Sequence, residues 1–482
     1  MPFPSSSVSP RFVCDFVRSW CGPSALAVLY ALDRYCVGLG RFTACIASRA
    51  VALTILRHIL YMLLSSVLTL SCVSFSRRAV VATMAAAAST SSVAAEPPPI
   101  RWGIVGLGDV TAVKAGPPFW KCNGAQLVAV MRRTPGAATQ WVEENVPPSS
   151  GSCQGYDDLD KFLAHPGLDA VYVATPPGSH LAIASKVAAA GKACYVEKPC
   201  GRCRHETAAM QKLFDAKGLP LFTAYISRAY PRTEAVLTLL ASGAVGDRVT
   251  RVTYHLRGSG GARGMETEAA ALPWRLDAAQ SGGGLIMDVG CHVIDRLDYL
   301  LGPLEDVSGI AENRHSPRQS VEDFVTLSAR IGAAGDDARA SAVRGAGAEV
   351  QMTWDFAPSD ASVTAVDLLV IHGPIGRVEM AAMSPSAPVS VYEASSGALV
   401  KQLTFEQPEH TAQALIQAAT DELRGLVNGE GVSVACPSRG DNALRTSAVL
   451  DQALSSFYGG RDDRFWERPD TWPGNPQGGA TQ

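Results

Sequence analysis

The sequence predicts an α/β protein with two sheets that differ in strand direction. Between residues 100 and 224, short apolar strands alternate with helices of roughly 10–15 residues, a pattern that indicates βαβ units and a parallel sheet. After residue 225, strand-like runs follow one another with little helix between them, which indicates a large, mostly antiparallel open sheet. We therefore divide the chain into an N-terminal extension (1–95), a first α/β domain (96–224), a second α/β domain (225–468) and a flexible tail (469–482).

The predicted elements of the first domain are short. Its first strand is predicted to begin at Ile100. Further strands are predicted at Ala125–Met131 and at residues 170–174, 193–196 and 219–224. Its helices are predicted at 156–163, 179–190 and 205–217. In the second domain a helix at 232–242 precedes a strand at 248–257, and further strands are predicted at 323–331, 349–356, 363–371, 376–380, 389–392 and 399–405. Amphipathic helices at 410–426 and 447–457 follow.

The N-terminal extension has a composition of its own. It carries arginines but no lysine, many Ser and Ala, and only Asp15 and Asp33 as acidic residues, as organelle transit peptides do. Residues 59–75 are uncharged and mostly apolar, close to the ~17–25 residues that a membrane helix needs, although several hydroxyl side chains weaken a single anchor. A third interpretation starts translation at Met84. We favour the transit peptide, which implies a plastid or mitochondrion, or the Met84 start, which implies the cytoplasm, over the anchor.

Overall composition excludes some partners. The 482 residues carry a formal charge of −3, so the charge balance indicates neither nucleic acid nor an acidic surface as partner. The 12 cysteines lack paired metal-ligand spacing, and we interpret them as reduced thiols of an intracellular protein. Cys200 and Cys203 form a lone CxxC motif, but no thioredoxin-like sequence surrounds it. We therefore interpret the two cysteines as small residues at the start of the next helix rather than as a redox site.

A glycine turn follows the first strand. Residues 100–108 read IRWGIVGLG, and Gly106 and Gly108 permit a tight turn with close approach of a pyrophosphate at the start of the next helix. Thr111 replaces the third glycine of the dinucleotide fingerprint. The first domain is therefore predicted to be a Rossmann dinucleotide-binding domain.

The second strand ends in Arg132 and Arg133 rather than in an acidic residue. An acid there would accept the ribose 2′-hydroxyl of NAD, whereas an arginine can hold the 2′-phosphate of NADP. We predict NADP, with NAD as a possible alternative. The competing interpretation is that both arginines are simply solvated.

Residues 193–199, ACYVEKP, place a carboxylate and an amine where a buried strand ends. Ligands of open α/β sheets bind beyond the carboxyl ends of the strands, so Glu197 and Lys198 are expected to face a pocket. The alternative is a surface ion pair.

A second cluster contains Asp288, His292 and Asp295. If a helix starts near residue 289, their spacing places all three on one helical face. The ordinary pKa of histidine suits a general acid or base, and a carboxylate beside it could fix the ring tautomer. Without further ligands at metal spacing, we predict no metal here. A purely structural histidine beneath the glycine-rich loop is the other interpretation.

Five segments together resemble the Gfo/Idh/MocA oxidoreductases. They are the glycine loop at 106–111, ATPPxxH at 174–180, EKP at 197–199, Trp274-Arg275, and GGGxxxDxGxHxxD at 282–295, and the resemblance extends over roughly residues 99–472. It implies a dinucleotide-binding domain followed by an α/β domain with an open, largely antiparallel sheet. It also implies a dimer or tetramer, because exposed sheet faces in this family usually pack against another subunit.

The resemblance assigns roles to these residues. It implies that Lys198 contacts the reacting oxygen and the nicotinamide region, that His292 is the proton donor or acceptor, and that Asp288 assists it. The predicted substrate-binding residues are Asp288, His292, Trp274 and Arg275. The predicted cofactor-binding residues are Gly106, Gly108, Asp109, Val110, Thr111, Arg132, Arg133, Thr175, Pro176, His180, Glu197 and Lys198.

The predicted function is an NADP-dependent oxidoreductase. It would transfer hydride between nicotinamide and a hydroxyl or carbonyl carbon of a sugar, polyol or cyclic diol, with a small molecule as its partner. The alternative is a non-catalytic, dinucleotide-binding regulator or sensor of the same fold. The presence of both Lys198 and His292 favours the enzyme.

Overall fold

The computed structural model describes residues 97–258, 273–314, 320–334, 342–356, 364–429, 431–432, 434–462 and 464–475. The transit-peptide, anchor and Met84 interpretations concern residues outside these ranges. Beginning at Glu96, the chain forms one compact unit. Among the described helices, none combines the length and hydropathy of a membrane span.

The first sheet has six parallel strands in the order β3-β2-β1-β4-β5-β6. The strands are β1 Ile100–Val105, β2 Ala125–Met131, β3 Gln154–Tyr156, β4 Ala170–Val173, β5 Ala193–Val196 and β6 Leu221–Thr223. The helices are α1 Pro118–Lys121, α2 Ala137–Asn145, α3 Leu159–Leu163, α4 His180–Ala189 and α5 Arg204–Asp215. Strands β4 and β5 are buried at every position, as parallel strands covered on both faces must be. The order is that of a Rossmann sheet, which confirms the predicted class.

Several details of this domain differ from the prediction, and the short elements β3 and α1 were not predicted. Residues 156–163 do not form one helix: Tyr156 ends β3, and Asp158 caps α3 by accepting a hydrogen bond from the Lys161 amide at 2.8 Å. The cap, rather than the apolar residues, therefore sets the start of this helix. The helix Ala137–Asn145 was not predicted.

The second sheet has eight strands in the order β14-β13-β12-β11-β7-β10-β9-β8. All of its strand pairs are antiparallel except β10 with β7. The strands are β7 Arg251–Arg257, β8 Leu304–Glu312, β9 Phe324–Ile331, β10 Glu349–Asp355, β11 Val366–His372, β12 Gly376–Met380, β13 Val389–Glu393 and β14 Leu399–Leu403. The predicted mostly antiparallel sheet is confirmed. Strand β8 was missed because its exposed positions interrupt the apolar pattern.

The helices of the second half pack on both sheets. They are α6 Pro231–Ala241, α7 Ala278–Ser281, α8 Cys291–Leu301, α9 Gln413–Val427, α10 Gly440–Ala453 and α11 Ser455–Tyr458. Helix α9 returns to the first sheet, where the buried Trp102 indole donates to the Thr420 hydroxyl at 3.2 Å. The chain therefore completes its N-terminal sheet with a helix from its C-terminal part.

The first described residues of the predicted flexible tail are packed. Residues Pro469–Thr471 form a 3-10 turn, and Trp472 is buried with its indole N–H donating to the Phe465 carbonyl at 2.7 Å. An aromatic cluster with Tyr458 and Phe465 holds this segment in place. The prediction of a mobile tail is therefore wrong for residues 469–475, and residues 476–482 lie outside the described part.

The helix start near residue 289 also differs from the prediction. A π-helical turn, Ile286–Gly290, precedes α8, so the spacing of side chains around Asp288 is not that of an α-helix. Asp295 lies in a buried network instead of beside the His292 ring. Its carboxylate accepts from Arg228 at 2.8–3.0 Å and from Asn442 at 3.0 Å.

This buried network is a structural ion cluster. Arg228, whose side chain is 5% exposed, also pairs with Asp298 at 2.8 Å. Burial raises the pKa of Asp295 to about 6, although Arg228 acts to lower it. Removal of the arginine would leave the buried Asp295 carboxylate without its main counter-ion, while Asp298 would keep its ion pair with Arg445 at 2.6 Å.

We expect Arg228→Met to lower the free energy of unfolding by about 3–5 kcal/mol, the cost of breaking a buried ion pair from one side. The control is Lys186→Met, which breaks the exposed pair with Asp160 (2.8 Å) and should cost less than about 1 kcal/mol. Urea denaturation followed by circular dichroism measures both. Equal costs for the two variants would contradict a structural role for the cluster.

Candidate active site

A cavity of about 570 Å³ opens at the carboxyl ends of β1, β2, β4 and β5. This is the position where open α/β sheets bind ligands. Its lining includes most of the predicted site residues: Gly106, Gly108, Asp109, Val110, Arg132, Arg133, Thr175, Pro176, Glu197, Lys198, Trp274, Arg275 and Asp288. Leu107, Met131, Leu159, Ser179 and Ile183 line it too and were not predicted. The predicted residues Thr111, His180 and His292 lie outside the lining.

The glycine turn leaves room beside the backbone. Gly106 has φ +95°, and a Cβ there would lie 2.8 Å from the Ala174 carbonyl oxygen, so only glycine fits. A Cβ on Gly108 would meet no atom within 4 Å, and Gly108 lines the cavity. The buried Thr111 hydroxyl donates to the Gly108 carbonyl at 2.7 Å and so stabilises the turn. The loop is therefore shaped to admit a phosphate-sized group against its backbone.

The helix expected after this turn is very short. A five-residue π-helical turn, Val110–Lys114, is followed by α1, because Gly116 and two prolines interrupt any longer helix. A Cβ on Gly116 would collide with the Thr111 carbonyl oxygen. The predicted pyrophosphate contact would therefore depend on the glycine backbone rather than on a long helix.

Arg132 and Arg133 lie at the rim of the cavity. Both are exposed, and neither has an ion-pair partner in the part of the chain that the structure describes. The Arg132 amide donates to the Tyr156 carbonyl at 3.0 Å, which fixes the backbone where β2 ends. The guanidinium groups are therefore available for a ligand at this end of the cavity.

His180 supports the cavity wall from behind. Its ring is fully buried, with Nε2 2.7 Å from the Thr175 carbonyl oxygen and Nδ1 3.0 Å from the Cys200 carbonyl oxygen. Burial lowers the pKa of His180, although both carbonyls act to raise it. The ring thus connects the loop after β4 to the loop after β5, and the structure does not place it in contact with the cavity.

Lys198 and Asp288 form the central ion pair of the site. Lys198 Nζ donates to Asp288 Oδ1 at 2.5 Å and to its backbone carbonyl at 2.8 Å, and the two side chains are 16% and 23% exposed. Burial acts to lower the pKa of Lys198, but Asp288 raises it above its usual value. Burial acts to raise the pKa of Asp288, but Lys198 lowers it to about 2. Both groups are therefore charged at neutral pH.

Arg275 binds the other oxygen of the same carboxylate. Its Nε lies 3.3 Å from Asp288 Oδ2, and its guanidinium lies 5.2 Å from the centre of the Trp274 ring. The Arg275 side chain is 37% exposed, so part of it faces the cavity. Asp288 thus holds two cations at the edge of the cavity.

Glu197 is fixed by a tyrosine that the sequence did not single out. The Tyr172 hydroxyl donates to Glu197 Oε1 at 2.7 Å, and the Lys198 amide donates to Oε2 at 3.1 Å. Burial raises the pKa of Glu197, while Lys198 acts to lower it. Tyr172 lies on β4 and Glu197 directly follows β5, so the alignment of these two parallel strands brings them together.

His292 follows Asp288 on the first turn of α8 and is half-buried. Burial lowers the pKa of its ring well below the usual value, and the Lys198 ammonium lowers it further, while Asp288 acts to raise it. The imidazole is therefore neutral at physiological pH, and it belongs to the same electrostatic cluster as the ion pair. Within the described residues, no group of three or more His, Cys, Asp or Glu side chains is arranged to hold a metal ion.

Known protein families match both halves of the chain. Residues 100–225 match the family model described as oxidoreductase family, NAD-binding Rossmann fold, and residues 233–378 match the GFO/IDH/MocA C-terminal domain. The chain belongs to the Gfo/Idh/MocA family. The predicted enzyme class is therefore confirmed: this Gfo/Idh/MocA protein is an oxidoreductase with an NAD(P)-binding domain.

Several curated relatives are oxidoreductases. Oxidoreductase P35 from Formosa agariphila is 26% identical over 319 residues, which are 66% of this chain and 89% of that protein. The trans-1,2-dihydrobenzene-1,2-diol dehydrogenase of Macaca fascicularis is 31% identical over 235 residues, or 47% of this chain. That match covers 64% of the diol dehydrogenase, so it spans somewhat less than two thirds of the relative's length.

Solved structures share the fold at low identity. The aldose-aldose oxidoreductase of Caulobacter crescentus, solved with glycerol, is 22% identical with a TM-score of 0.57, and the match covers 74% of this chain and 98% of that one. A 3-ketoreductase from Actinomadura kijaniata, solved with NADP, is 19% identical with a TM-score of 0.58, over 74% of this chain and 97% of that one. These likenesses support the two-sheet architecture.

We expect Gly108→Ala to weaken dinucleotide binding at least about tenfold, or ~1.4 kcal/mol, while the melting temperature stays within about 2 °C. The added Cβ meets no protein atom, so its only effect should be to fill the space that a pyrophosphate would occupy. Fluorescence titration with NADPH and NADH measures the affinity. The control is Gly460→Ala, whose Cβ also meets no atom within 4 Å but lies outside this cavity. Unchanged affinity in Gly108→Ala would show that the dinucleotide lies elsewhere.

Proposed function

We propose that this protein is an NADP-dependent oxidoreductase acting on a CH–OH group of a sugar, polyol or cyclic diol. The observation that carries the proposal is the Lys198–Asp288 ion pair at the carboxyl end of β5, on the wall of the cavity that the glycine turn also lines. The diol dehydrogenase relative and the aldose-aldose oxidoreductase that was solved with glycerol support this substrate class. Bound NAD(P) would supply the hydride acceptor or donor.

The charge states of the three polar residues define their proposed roles. Lys198 is cationic, so it donates a hydrogen bond to the substrate oxygen and stabilises the negative charge that develops there. The neutral His292 ring accepts the hydroxyl proton during oxidation and returns it during reduction. Asp288 remains ionised and holds Lys198 and Arg275 in position. During oxidation the C–H bond of the substrate then breaks. Its electron pair leaves with the hydrogen as hydride, while the O–H proton passes to His292.

The residues that would hold the dinucleotide follow the cavity from one end to the other. Gly106, Gly108 and the backbone up to Val110 would bind the pyrophosphate, and Thr175 and Pro176 would line the nicotinamide side. Arg132 and Arg133, exposed at the rim, would contact a 2′-phosphate. This arrangement is the basis for proposing NADP rather than NAD.

A homo-oligomer belongs to the same proposal. One face of the second sheet presents exposed polar side chains along β7 and β10, such as Arg251, His255 and Gln351. We propose that such an open sheet face packs against another subunit in a dimer or tetramer.

We expect Lys198→Met to lower kcat by at least about 10²–10³-fold, the range seen when one oxyanion donor is removed, with NADPH affinity within a few-fold of wild type. Steady-state assays with sugars, polyols and cyclic diols, together with fluorescence titration, give both values; Lys198→Ala is a second variant. Lys192→Met, which loses a hydrogen bond to the Leu168 carbonyl away from the cavity, is the control. Equal turnover in wild type and Lys198→Met would remove Lys198 from the chemistry. A wild-type protein that binds NADPH and turns over no substrate would favour the regulator.

We expect Arg132→Asp to reduce the NADPH-to-NADH affinity ratio at least about tenfold, because a carboxylate repels the 2′-phosphate and can accept from a ribose hydroxyl. Parallel titrations with the two dinucleotides measure the ratio. The control is Arg248→Asp, which makes the same change of charge at an exposed residue that does not line the cavity. It should leave the ratio unchanged. An unchanged ratio in Arg132→Asp would show that the 2′-phosphate is bound by other residues.

A further inference from the structure

The two segments that carry Lys198 and Asp288 press against each other. Lys198 lies four positions before Arg202, and Gly282 lies six positions before Asp288. Gly282 has φ +89°, and a Cβ there would lie 2.4 Å from the Arg202 carbonyl oxygen. Two backbone carbonyls therefore face the same small volume, and each needs a hydrogen-bond donor because they are removed from water.

Arg461 supplies both hydrogen bonds. Its side chain is fully buried, and Nη2 donates to the carbonyl oxygens of Arg202 and Gly282. Nη1 forms an ion pair with Asp451 Oδ1 at 3.3 Å, which keeps the buried guanidinium charge partnered. Nη2 also lies 3.5 Å from the sulfur of Met287, the residue next to Asp288. One guanidinium thus touches both segments.

Aromatic side chains hold the arginine in place. The Arg461 guanidinium lies 5.7 Å from the centre of the Tyr458 ring and 5.1 Å from that of Phe465. The Arg202 guanidinium stacks 3.3 Å from the centre of the Trp466 ring and donates to the Ala279 carbonyl at 2.7 Å. Tyr458, Phe465 and Trp466 therefore contact the guanidinium groups of Arg461 and Arg202, and these guanidinium groups in turn contact the segments that carry Lys198 and Asp288.

A second contact holds the glycine-rich turn. Glu322 is fully buried and accepts from the Gly284 amide at 2.9 Å and from the Tyr458 hydroxyl at 2.5 Å. A Cβ on Gly284 would lie 2.4 Å from the Glu322 carbonyl oxygen, so this turn has little space in which to move. Glu322, which accepts from Tyr458, and Arg461 thus bind the stretch before Asp288 at two points.

We propose that Arg461 is a positioning residue for the reaction. It joins the loop after Lys198 to the turn before Asp288 and so keeps the ammonium and the carboxylate at hydrogen-bonding distance. The inference rests on the proposed catalytic function of this pair. A buried arginine suits the task because its planar fork can donate to several acceptors at once, which a lysine cannot reproduce.

The test compares two buried arginines in the full-length protein. Arg461→Met removes the donors to the two catalytic segments. Arg232→Met is the matched control, because Arg232 is also buried and also donates to two carbonyls, those of Ser384 and Ala381, each at 2.6 Å, in a region away from the site. Both variants lose a buried guanidinium, but Arg461→Met also leaves Asp451 without its ion pair. The melting temperature of each variant is therefore measured, and kcat is compared at a temperature where both are folded.

We expect Arg461→Met to lower kcat at least about tenfold, since small misplacements of reacting groups cost up to about 10²-fold, with dinucleotide affinity within about threefold. Arg232→Met should retain kcat within about threefold. Hydrogen exchange measured by mass spectrometry should be faster in Arg461→Met for peptides spanning 198–206 and 279–288, and unchanged there in Arg232→Met. If Arg461→Met does not fold, Arg461→Lys should show a smaller fall in kcat with the same localised faster exchange.

Two results would overturn the proposal. One is an equal fall in kcat in the Arg461 and Arg232 variants, and the other is unchanged exchange at residues 198–206 and 279–288 in the Arg461 variant. Exchange does not depend on turnover. A wild-type protein inactive on every substrate would therefore overturn the proposed function, while the exchange comparison would still decide whether Arg461 holds the two segments.

Discussion

The ion pair between Lys198 and Asp288 determines what this site can do. The lysine ends a strand of the parallel sheet, and the aspartate precedes a helix of the second half, so the pair joins two parts of the chain that are distant in sequence. The carboxylate keeps the ammonium charged in a largely buried position, which burial alone would disfavour. The ammonium charge in turn acts to lower the pKa of His292, so a fixed positive charge and a neutral histidine belong to one electrostatic cluster.

Most of the predicted residues that the structure brings together at one cavity belong to short motifs of adjacent residues. A run of apolar residues followed by Glu-Lys-Pro marks the end of a buried strand, and two glycines after another strand mark a tight turn. Such signals need only local sequence, because a strand end lies at the sheet edge whatever the rest of the chain does. Lys198 and Gly108 both line the cavity, at the strand ends where these motifs place them.

The errors arose where the structure depends on distant residues or on irregular helices. The π-helical turn before α8 changes which side chains share a face with Asp288, whereas Asp295, on α8 itself, is held in the buried cluster by Arg228. The partnership of Tyr172 with Glu197 depends on the alignment of β4 with β5, which periodicity does not reveal. Arg461 gave no signal, because one arginine near a C-terminus resembles any solvated charge until its burial is known.

The return of α9 to the first sheet bears on how this chain is made. When synthesis has passed Thr223, all six strands of the parallel sheet exist, but the helix that covers Trp102 does not, and it is complete only at Val427. A nascent chain must therefore keep one apolar sheet face uncovered while roughly two hundred further residues are added, a stage during which chaperones commonly bind. The two sheets are therefore distinct in architecture, but the first sheet does not have its complete core until α9, which follows the second sheet in sequence, has been made.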